Sequence, residues 1–318
     1  MKNIGLIKYE NADINNFTSD LGIKIRRTIN RPLRFFLRLG TSKKIVVDSY
    51  PNLEKGKPYI FASTHSCVEE VSALLGTIDR SAYSLMGTTD QLEHNPAIYA
   101  NWVTGFIFVN RLNNDSRKSS LPKMERIINS GSSILLFPEG GWNNTESLLC
   151  QRLFSGVYNL SKNTGALIVP ISTYTEFDNK SIYINAGDPV DITRLDKKEG
   201  LAELRDILST LKYEQIEKHS TPINRAELPS DARERFMEER KNEYLKVKWS
   251  KDVWDEELTM YKDKDAPSQE DVRTFIDSVN ITSKNAFILA PILVKRMEDK
   301  KYNFKDYMHK NWNNNVKE

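Results

Sequence analysis

Residues 59–76 read YIFASTHSCVEEVSALLG, and this stretch joins two kinds of secondary structure. Its first part is a short apolar run, which is typical of a buried strand. Its second part has the pattern of a helix and ends at Gly76, a residue type common just past helix ends. His65 stands at the junction. The stretch therefore predicts a strand, a loop that carries a histidine, and a helix.

The same alternation extends on both sides, from about residue 43 to residue 210. The other strand-like runs are KKIVVDSY, AYSLMG, GFIFVN, SSILLFP, ALIVPISTY and SIYINAG, and helix-like stretches lie at residues 96–103, 116–129 and 155–162. Such alternation predicts an α/β fold with a mostly parallel central sheet flanked by helices. In these sheets functional residues gather in the loops that follow the strands.

Composition limits the function classes. The 318 residues include 46 basic and 43 acidic side chains, and this net charge of +3 gives no reason to expect a nucleic-acid partner. The two cysteines, Cys67 and Cys150, have no metal-type spacing and form no disulfide framework, so no metal is expected and a reducing compartment fits. We find no signal-peptide pattern and no apolar run of about 20 residues. These observations predict a cytoplasmic protein that contacts a membrane surface without spanning the bilayer.

Three regions are predicted. Residues 1–42 form an N-terminal amphipathic segment, residues 43–212 form the α/β domain, and residues 213–318 form a helical accessory region. Within the last, residues 228–263 read as one charge-dense helical stretch, and further helices are predicted from residue 268 onward.

The N-terminal segment contains a helix with one basic side. Residues 23–40 read IKIRRTINRPLRFFLRLG, with Pro32 expected to begin or kink the helix. Four arginines fall at helical spacing: Arg27, Arg31, Arg34 and Arg38. A basic face opposite a Phe/Leu face suits a helix lying on anionic lipid, with the arginines at the membrane surface. The alternative is a surface helix that packs its apolar side on the domain core.

His65 and Glu70 are candidates for an acid/base pair. If His65 lies at the amino-terminal edge of the helix, Glu70 can reach its ring from one turn inside, and Glu69 should then point away. A carboxylate on one imidazole nitrogen leaves the other free to act as a general base. Taken alone, the pair also fits a structural histidine. Cys67 is expected to be a packing residue and a poor nucleophile.

Three later motifs also follow predicted strands. GFIFVNR at residues 105–111 ends in Arg111, whose guanidinium can bind phosphate at two points or simply lie on the surface. FPEGG at residues 137–141 projects Glu139 from a tight turn, where it can accept from a polyol hydroxyl, organise nearby cations or contact water alone. ALIVPISTY at residues 166–174 is mainly architectural, with Pro170 inside a strand.

In this order the four motifs resemble the four blocks of the lysophospholipid/glycerolipid acyltransferase superfamily, which includes the bacterial 1-acylglycerol-3-phosphate acyltransferases of phospholipid biosynthesis. The blocks are H-x4-E, GFIFVNR, FPEG and IVPI, and the resemblance covers about residues 45–190. It implies acyl transfer from acyl-CoA or an acyl carrier protein as co-substrate, with no cofactor. In that scheme His65 deprotonates the acceptor hydroxyl, and Glu70 orients the His65 imidazole and stabilises the imidazolium. The resemblance further assigns acceptor binding to five residues: Gly105, Asn110, Arg111, Glu139 and Gly140.

Two departures from the family pattern leave the acceptor open. FPEG is followed by Gly141-Trp142-Asn143 where Thr-Arg-Ser is common, and Leu153-Phe154-Ser155 lacks the usual basic residue before Gly156. A lysophospholipid or glycerol-phosphate acceptor is therefore weighed against a neutral sugar, polyol or natural product, for which Trp142 could offer a ring face. A non-catalytic lipid-binding relative and a hydrolase using Cys67 are two further hypotheses. The sequence predicts no oligomeric state.

Overall fold

A computed structural model describes residues 19–39, 41–67, 69–86, 105–109, 114–145, 148–175, 180–221, 223–224 and 227–246. The contacts divide the chain into two units, residues 1–261 and 262–318, and all the described residues belong to the first. None of the helices in these ranges is long and apolar enough to cross a membrane. Predictions for Asn110, Arg111, residues 96–103 and the helices from residue 268 onward lie outside the described residues.

Strands and helices alternate along the chain as the sequence predicts. The strands are β1 (Lys44–Ser49), β2 (Ile60–Ser63), β3 (Ala82–Met86), β4 (Phe106–Phe108), β5 (Ser133–Leu136), β6 (Ile168–Tyr174) and β7 (Ser181–Ala186). The helices are α1 (Asp20–Leu39), α2 (Glu69–Thr77), α3 (Asn114–Asn129), α4 (Gly156–Thr164), α5 (Lys197–His219) and α6 (Ala232–Lys246), with a short 3-10 turn at Ile192–Arg194. Helix α5 passes without a break through residue 212, where the accessory region is predicted to begin.

The described strands form one sheet in the order β1-β7-β6-β2-β5-β3-β4. Every neighbouring pair is parallel except β6 and β7, which run antiparallel. The predicted fold class, a mostly parallel sheet flanked by helices, is confirmed. Strand β2 lies between β5 and β6, so the loops that follow β2 and β5 meet at one edge of the sheet, where β6 also ends.

The central strands β2 and β5 are buried on both faces, which explains why they read as continuous apolar runs. Along β2, Ile60 and Ala62 join the core on one face, and Phe61 joins the core on the other. Helices α3, α4 and α5 contribute to the first core, and α2 contributes to the second. The strand that leads to His65 is therefore fixed by packing from both sides.

Three of the four arginines predicted at the membrane surface contact helix ends within the protein, although Arg27 and Arg38 stay exposed to solvent. Arg34 Nε and Arg38 Nε donate to the carbonyl of Gly76 at 3.3 and 2.9 Å, in the last turn of α2. Arg27 Nη1 donates to the carbonyl of Ser130 at 3.1 Å, just past the end of α3. Unpaired carbonyls and the negative end of the dipole make a helix carboxyl terminus a natural site for a cation. These three arginines therefore donate hydrogen bonds to backbone carbonyls at the ends of α2 and α3.

The opposite side of α1 is apolar and exposed. The exposed residues are Leu21, Ile25, Phe35, Phe36 and Leu39, each with more than half of its surface accessible. Arg31 is exposed at the margin of this side. The helix runs unbroken through Pro32, which neither begins nor ends it. The alternative prediction, that the apolar side packs on the core, is therefore wrong for these five residues.

Candidate active site

The strand order brings three of the sequence motifs together. His65 follows β2, Glu139 follows β5, and Thr173 lies near the end of β6, on the two strands that flank β2. All three strands run in the same direction, so the carboxyl ends of their motifs share one edge of the sheet. This edge is the candidate active site.

The predicted contact between His65 and Glu70 is present. His65 Nδ1 lies 3.0 Å from Glu70 Oε2, and the Glu70 carboxylate is fully buried in the first turn of α2. The same oxygen accepts hydrogen bonds from the backbone N–H groups of Ser66 and Cys67 at 2.7 and 3.2 Å. Thr173 Oγ1 donates to the other oxygen at 2.8 Å. Glu70 is thus held on both oxygens while it orients the imidazole.

Hydrogen bonding decides the charge of Glu70. Burial pushes the pKa of this carboxyl upward, but the hydrogen bond and charge of His65, the charge of Lys212 and the N–H of Ser66 outweigh burial. The pKa of Glu70 therefore lies below its ordinary value, and the group is a carboxylate at neutral pH. A carboxylate on Nδ1 keeps the proton on that nitrogen and leaves the lone pair on Nε2.

Aromatic side chains fix the plane of the imidazole. The Phe137 ring stacks on His65 with centroids 4.0 Å apart and an angle of 23°, and Trp142 meets it edge-on at 6.0 Å. The His65 side chain keeps 14% of its surface exposed. Among the described residues, none forms a hydrogen bond with Nε2. This nitrogen is therefore available to an incoming hydroxyl.

Glu139 takes a different place from the predicted one. Its side chain is fully buried, Oε1 accepts from the backbone N–H of His65 at 3.1 Å, and Oε2 accepts from the backbone N–H of Gln151 at 2.7 Å. Burial raises the pKa of Glu139 to about 7, although these two hydrogen bonds act in the other direction. Both oxygens are engaged by backbone, so in this geometry Glu139 braces the His65 loop and does not face an acceptor head group.

Lys212 supplies a cation that no sequence motif singles out. It reaches from α5 to donate to the carbonyl of Thr173, and its charge acts on both Glu70 and Glu139. Burial lowers the pKa of Lys212, and the charges of the two carboxylates oppose that shift. One buried ammonium thus offsets part of the cost of burying two carboxyl groups. The residue lies at the end of the predicted domain, outside all four motifs.

The two predicted glycine positions differ in their surroundings. Gly105 precedes β4, at the opposite edge of the sheet from His65. A Cβ there would lie 1.0 Å from Arg26 Nη1, and φ is +78°. Gly105 thus makes room for the buried Arg26 of α1 and does not line the candidate site, contrary to the prediction. Gly140 has φ +80° and donates to the carbonyl of Phe137 at 2.9 Å, closing the turn that carries Glu139.

Cys67 and Trp142 are both packing residues. The Cys67 thiol is buried, and its pKa is raised well above the ordinary value by burial and by the negative charge of Glu70. A thiol in this state is a weak nucleophile. Trp142 is 5% exposed and packs edge-on against Tyr244 at 5.3 Å. It offers no open ring face of the kind a sugar would need.

Part of the chain is similar in sequence to known acyltransferases. The Acyltransferase family model matches residues 44–174. A 1-acyl-sn-glycerol-3-phosphate acyltransferase from Haemophilus influenzae is 31% identical over 101 residues, which are 29% of this chain. The matched part of the chain spans 41% of that relative's length.

The fold is also similar to a solved structure. The 1-acyl-sn-glycerophosphate (LPA) acyltransferase PlsC from Thermotoga maritima superposes with a TM-score of 0.51 and 15% identity, covering 62% of this chain and 84% of that one. At this identity the similarity concerns the fold. Residues 44–174 therefore match the Acyltransferase family, and part of the chain is similar in sequence to a 1-acyl-sn-glycerol-3-phosphate acyltransferase.

Proposed function

We propose that the protein transfers a fatty acyl group from a thioester, acyl-CoA or an acyl carrier protein, to a hydroxyl of a lysophospholipid or glycerol-phosphate-type acceptor. One observation carries the proposal: the His65 ring is held by a buried carboxylate through Nδ1, at 3.0 Å, while Nε2 remains available at the sheet edge. This arrangement suits a general base. The match of residues 44–174 to the Acyltransferase family model supports the choice of reaction.

The reaction proceeds in two steps. His65 Nε2 takes the proton of the acceptor hydroxyl as its oxygen attacks the thioester carbonyl carbon and forms the new C–O bond. The C–S bond then breaks, and the thiolate that leaves takes the proton from the imidazolium. Glu70 stabilises the imidazolium between the two steps without accepting its proton. The thioester is the co-substrate, and the scheme asks for no further cofactor.

The proposal includes contact with a membrane, because a lysophospholipid acceptor and the acylated product both carry long apolar chains. The exposed apolar side of α1, Leu21, Ile25, Phe35, Phe36 and Leu39, is the surface that suits the apolar part of the lipid interface. Lys24 and Arg31 are exposed beside it and suit anionic head groups. Arg27, Arg34 and Arg38, which the sequence predicts at the membrane surface, are given a structural role here because they bind carbonyls at helix ends.

A substrate screen tests the proposed function. Purified wild-type protein and the His65→Ala variant are incubated with acyl-CoA and acyl-carrier donors against phosphorylated and neutral acceptors, and esters are detected by mass. We expect ester with a lysophospholipid or glycerol-phosphate acceptor, and none with His65→Ala, whose fold is checked by thermal unfolding. Transfer only to neutral acceptors would overturn the proposed acceptor class. Full activity in a folded His65→Ala variant would overturn the mechanism.

A further inference from the structure

Helix α6 lies outside the residues that match the acyltransferase family, and yet it reaches the candidate active site. The match ends at residue 174, and α6 spans Ala232–Lys246. Two of its side chains, Arg240 and Tyr244, are buried, with 7% and 0% of their surface exposed. Charged side chains are rarely buried without a specific partner. The partners of Arg240 therefore show what the helix does.

Arg240 binds the backbone beside the proposed base. Its Nη2 donates to the carbonyl of Ser66 at 2.7 Å and to Asn144 Oδ1 at 3.3 Å, and Nη1 lies 3.4 Å from Glu243 Oε2. The guanidinium carbon lies 5.7 Å from the centroid of the Trp142 ring. Ser66 is the residue after His65, so the contact acts directly on the turn that carries the imidazole.

The backbone N–H and the carbonyl of Ser66 are thus bound by side chains of two different helices, α2 and α6. Its N–H donates to Glu70 Oε2 at 2.7 Å, and its carbonyl accepts from Arg240 at 2.7 Å. The same Glu70 oxygen contacts His65 Nδ1. A charged donor on a part-buried carbonyl forms a strong and directional hydrogen bond. The orientation of the two peptide units on either side of Ser66, and with it the approach of Glu70 to His65, depends on these contacts.

Tyr244 supports the same turn through a second route. Its ring packs edge-on against Trp142, with centroids 5.3 Å apart and an angle of 83°. Trp142 in turn meets His65 edge-on at 6.0 Å. Arg240 and Tyr244 lie one helical turn apart, so they occupy the same side of α6. One side of the helix therefore closes over the histidine turn.

We propose that α6 is a clamp on the catalytic turn and that Arg240 is a positioning residue for His65, acting through the carbonyl of Ser66. The inference rests on the proposed function for its catalytic consequence. It gives the region beyond the family-matching residues a defined task, which is to complete the site. Arg240 is not assigned to the acceptor, because its guanidinium is buried and directed at the protein backbone.

Kinetics of three variants test the proposal, with Arg235→Ala as the matched control. Arg235 lies on the same helix with 66% of its side chain exposed and pairs with Asp231 one turn earlier. We expect Arg240→Ala to lower kcat roughly 10- to 100-fold with little change in either KM, since displacement of a base affects the reaction step. Arg240→Lys should recover part of kcat, and millimolar guanidinium should partly rescue Arg240→Ala. An unchanged kcat in Arg240→Ala, or a raised acceptor KM alone, would overturn the positioning role of Arg240.

Amide exchange, followed residue by residue by NMR, tests the clamp without relying on activity. We expect the Ser66 and Cys67 amide protons, which donate to Glu70, to exchange faster in Arg240→Ala than in wild type or Arg235→Ala. Exchange that is unchanged at both amides, or faster throughout the sheet, would overturn local positioning. A wild-type protein that transfers no acyl group to any acceptor would defeat the proposed function, while this measurement would still decide the clamp.

Discussion

The backbone N–H of His65 donates a hydrogen bond to Glu139 Oε1 at 3.1 Å. Two motifs that are 74 residues apart in the sequence are therefore bonded at the point where the proposed base begins. The other Glu139 oxygen binds the backbone N–H of Gln151, so the carboxyl ties the His65 loop to the segment that precedes α4. FPEG is in this geometry a brace for the histidine, although the sequence motif alone predicts a ligand-binding glutamate.

Removing the Glu139 carboxyl should damage stability and turnover together. Glu139→Ala leaves two buried N–H groups without acceptors, and we expect the free energy of unfolding to fall by about 2–4 kcal/mol. At a temperature where the variant is folded, kcat should fall while the acceptor KM changes little. Urea unfolding and steady-state kinetics measure both. A raised acceptor KM at constant kcat and constant stability would instead support the predicted contact of Glu139 with the acceptor head group.

The pH dependence of stability should carry the signature of Glu139. Its pKa in the folded protein is about 7, above the ordinary value of 4.5, so the unfolded chain loses this proton first as pH rises. The stabilisation of the folded state by protonated Glu139 is fully present below about pH 4.5. It is lost as pH rises toward 7, which lowers the free energy of unfolding by up to roughly 3 kcal/mol.

Urea unfolding at several pH values, with Glu139→Gln as the comparison, isolates this contribution. The stability difference between wild type and variant should shrink between pH 5 and pH 7. A difference that stays constant over this range would show that the carboxyl is ionised throughout.

Changes at Glu70 should affect the chemistry far more than a change at Cys67. Glu70→Gln removes the charge that stabilises the imidazolium, and we expect kcat to fall roughly 10²- to 10⁴-fold. Glu70→Asp keeps the charge on a shorter arm and should give an intermediate kcat. Cys67→Ser should retain most of the activity, because its thiol is buried with a raised pKa. The reverse ranking, with Cys67→Ser inactive and Glu70→Gln active, would favour a thiol mechanism.

Membrane binding should depend on the apolar side of α1. Phe35→Ser combined with Phe36→Ser removes two exposed rings, and vesicle partitioning should weaken roughly tenfold or more. Flotation with anionic and neutral vesicles measures the effect, and Lys24→Gln with Arg31→Gln should weaken binding only to the anionic ones. Unchanged flotation of the Phe35/Phe36 variant would exclude this side of the helix as the lipid contact.

The arginines on the other side of α1 should contribute to stability instead. Arg34→Gln combined with Arg38→Gln removes two donors from the carboxyl-terminal turn of α2, and we expect a loss of roughly 1–2 kcal/mol. Thermal unfolding measures the loss, and flotation of the same variant should stay close to wild type. A stable variant that no longer floats with vesicles would show that these arginines contact the membrane surface.

The sequence predicts the parts of this protein that local pattern controls. Alternating apolar runs and helix-like stretches predict the sheet, and the position of His65 between a strand and a helix predicts its contact with Glu70 at 3.0 Å. That contact is local, five residues apart along one turn. Thr173, which binds the other oxygen of Glu70, lies in the ALIVPISTY stretch, but only the pairing of β2 with β6 reveals its role.

The features that the sequence does not predict are contacts between residues that lie far apart along the chain. The spacing of the α1 arginines predicts an amphipathic helix, yet it cannot tell that the carboxyl ends of α2 and α3 offer carbonyls to the basic side. Burial of Glu139 comes from the loop it braces, which the FPEG motif does not encode. Arg240 is one of several cations in a charge-dense helix, and its neighbours in sequence give no sign of its contact with Ser66.

The His65 turn is tied down before any substrate arrives. Its N–H binds Glu139, its carbonyl accepts from the backbone N–H of Asn143 at 2.7 Å, and the next two N–H groups bind Glu70. The conformational entropy of this turn has therefore been given up during folding, and little of it is left to lose when the reactants bind. Heating should consequently abolish acyl transfer at the temperature where the sheet itself melts, with no earlier loss from a loosened active site.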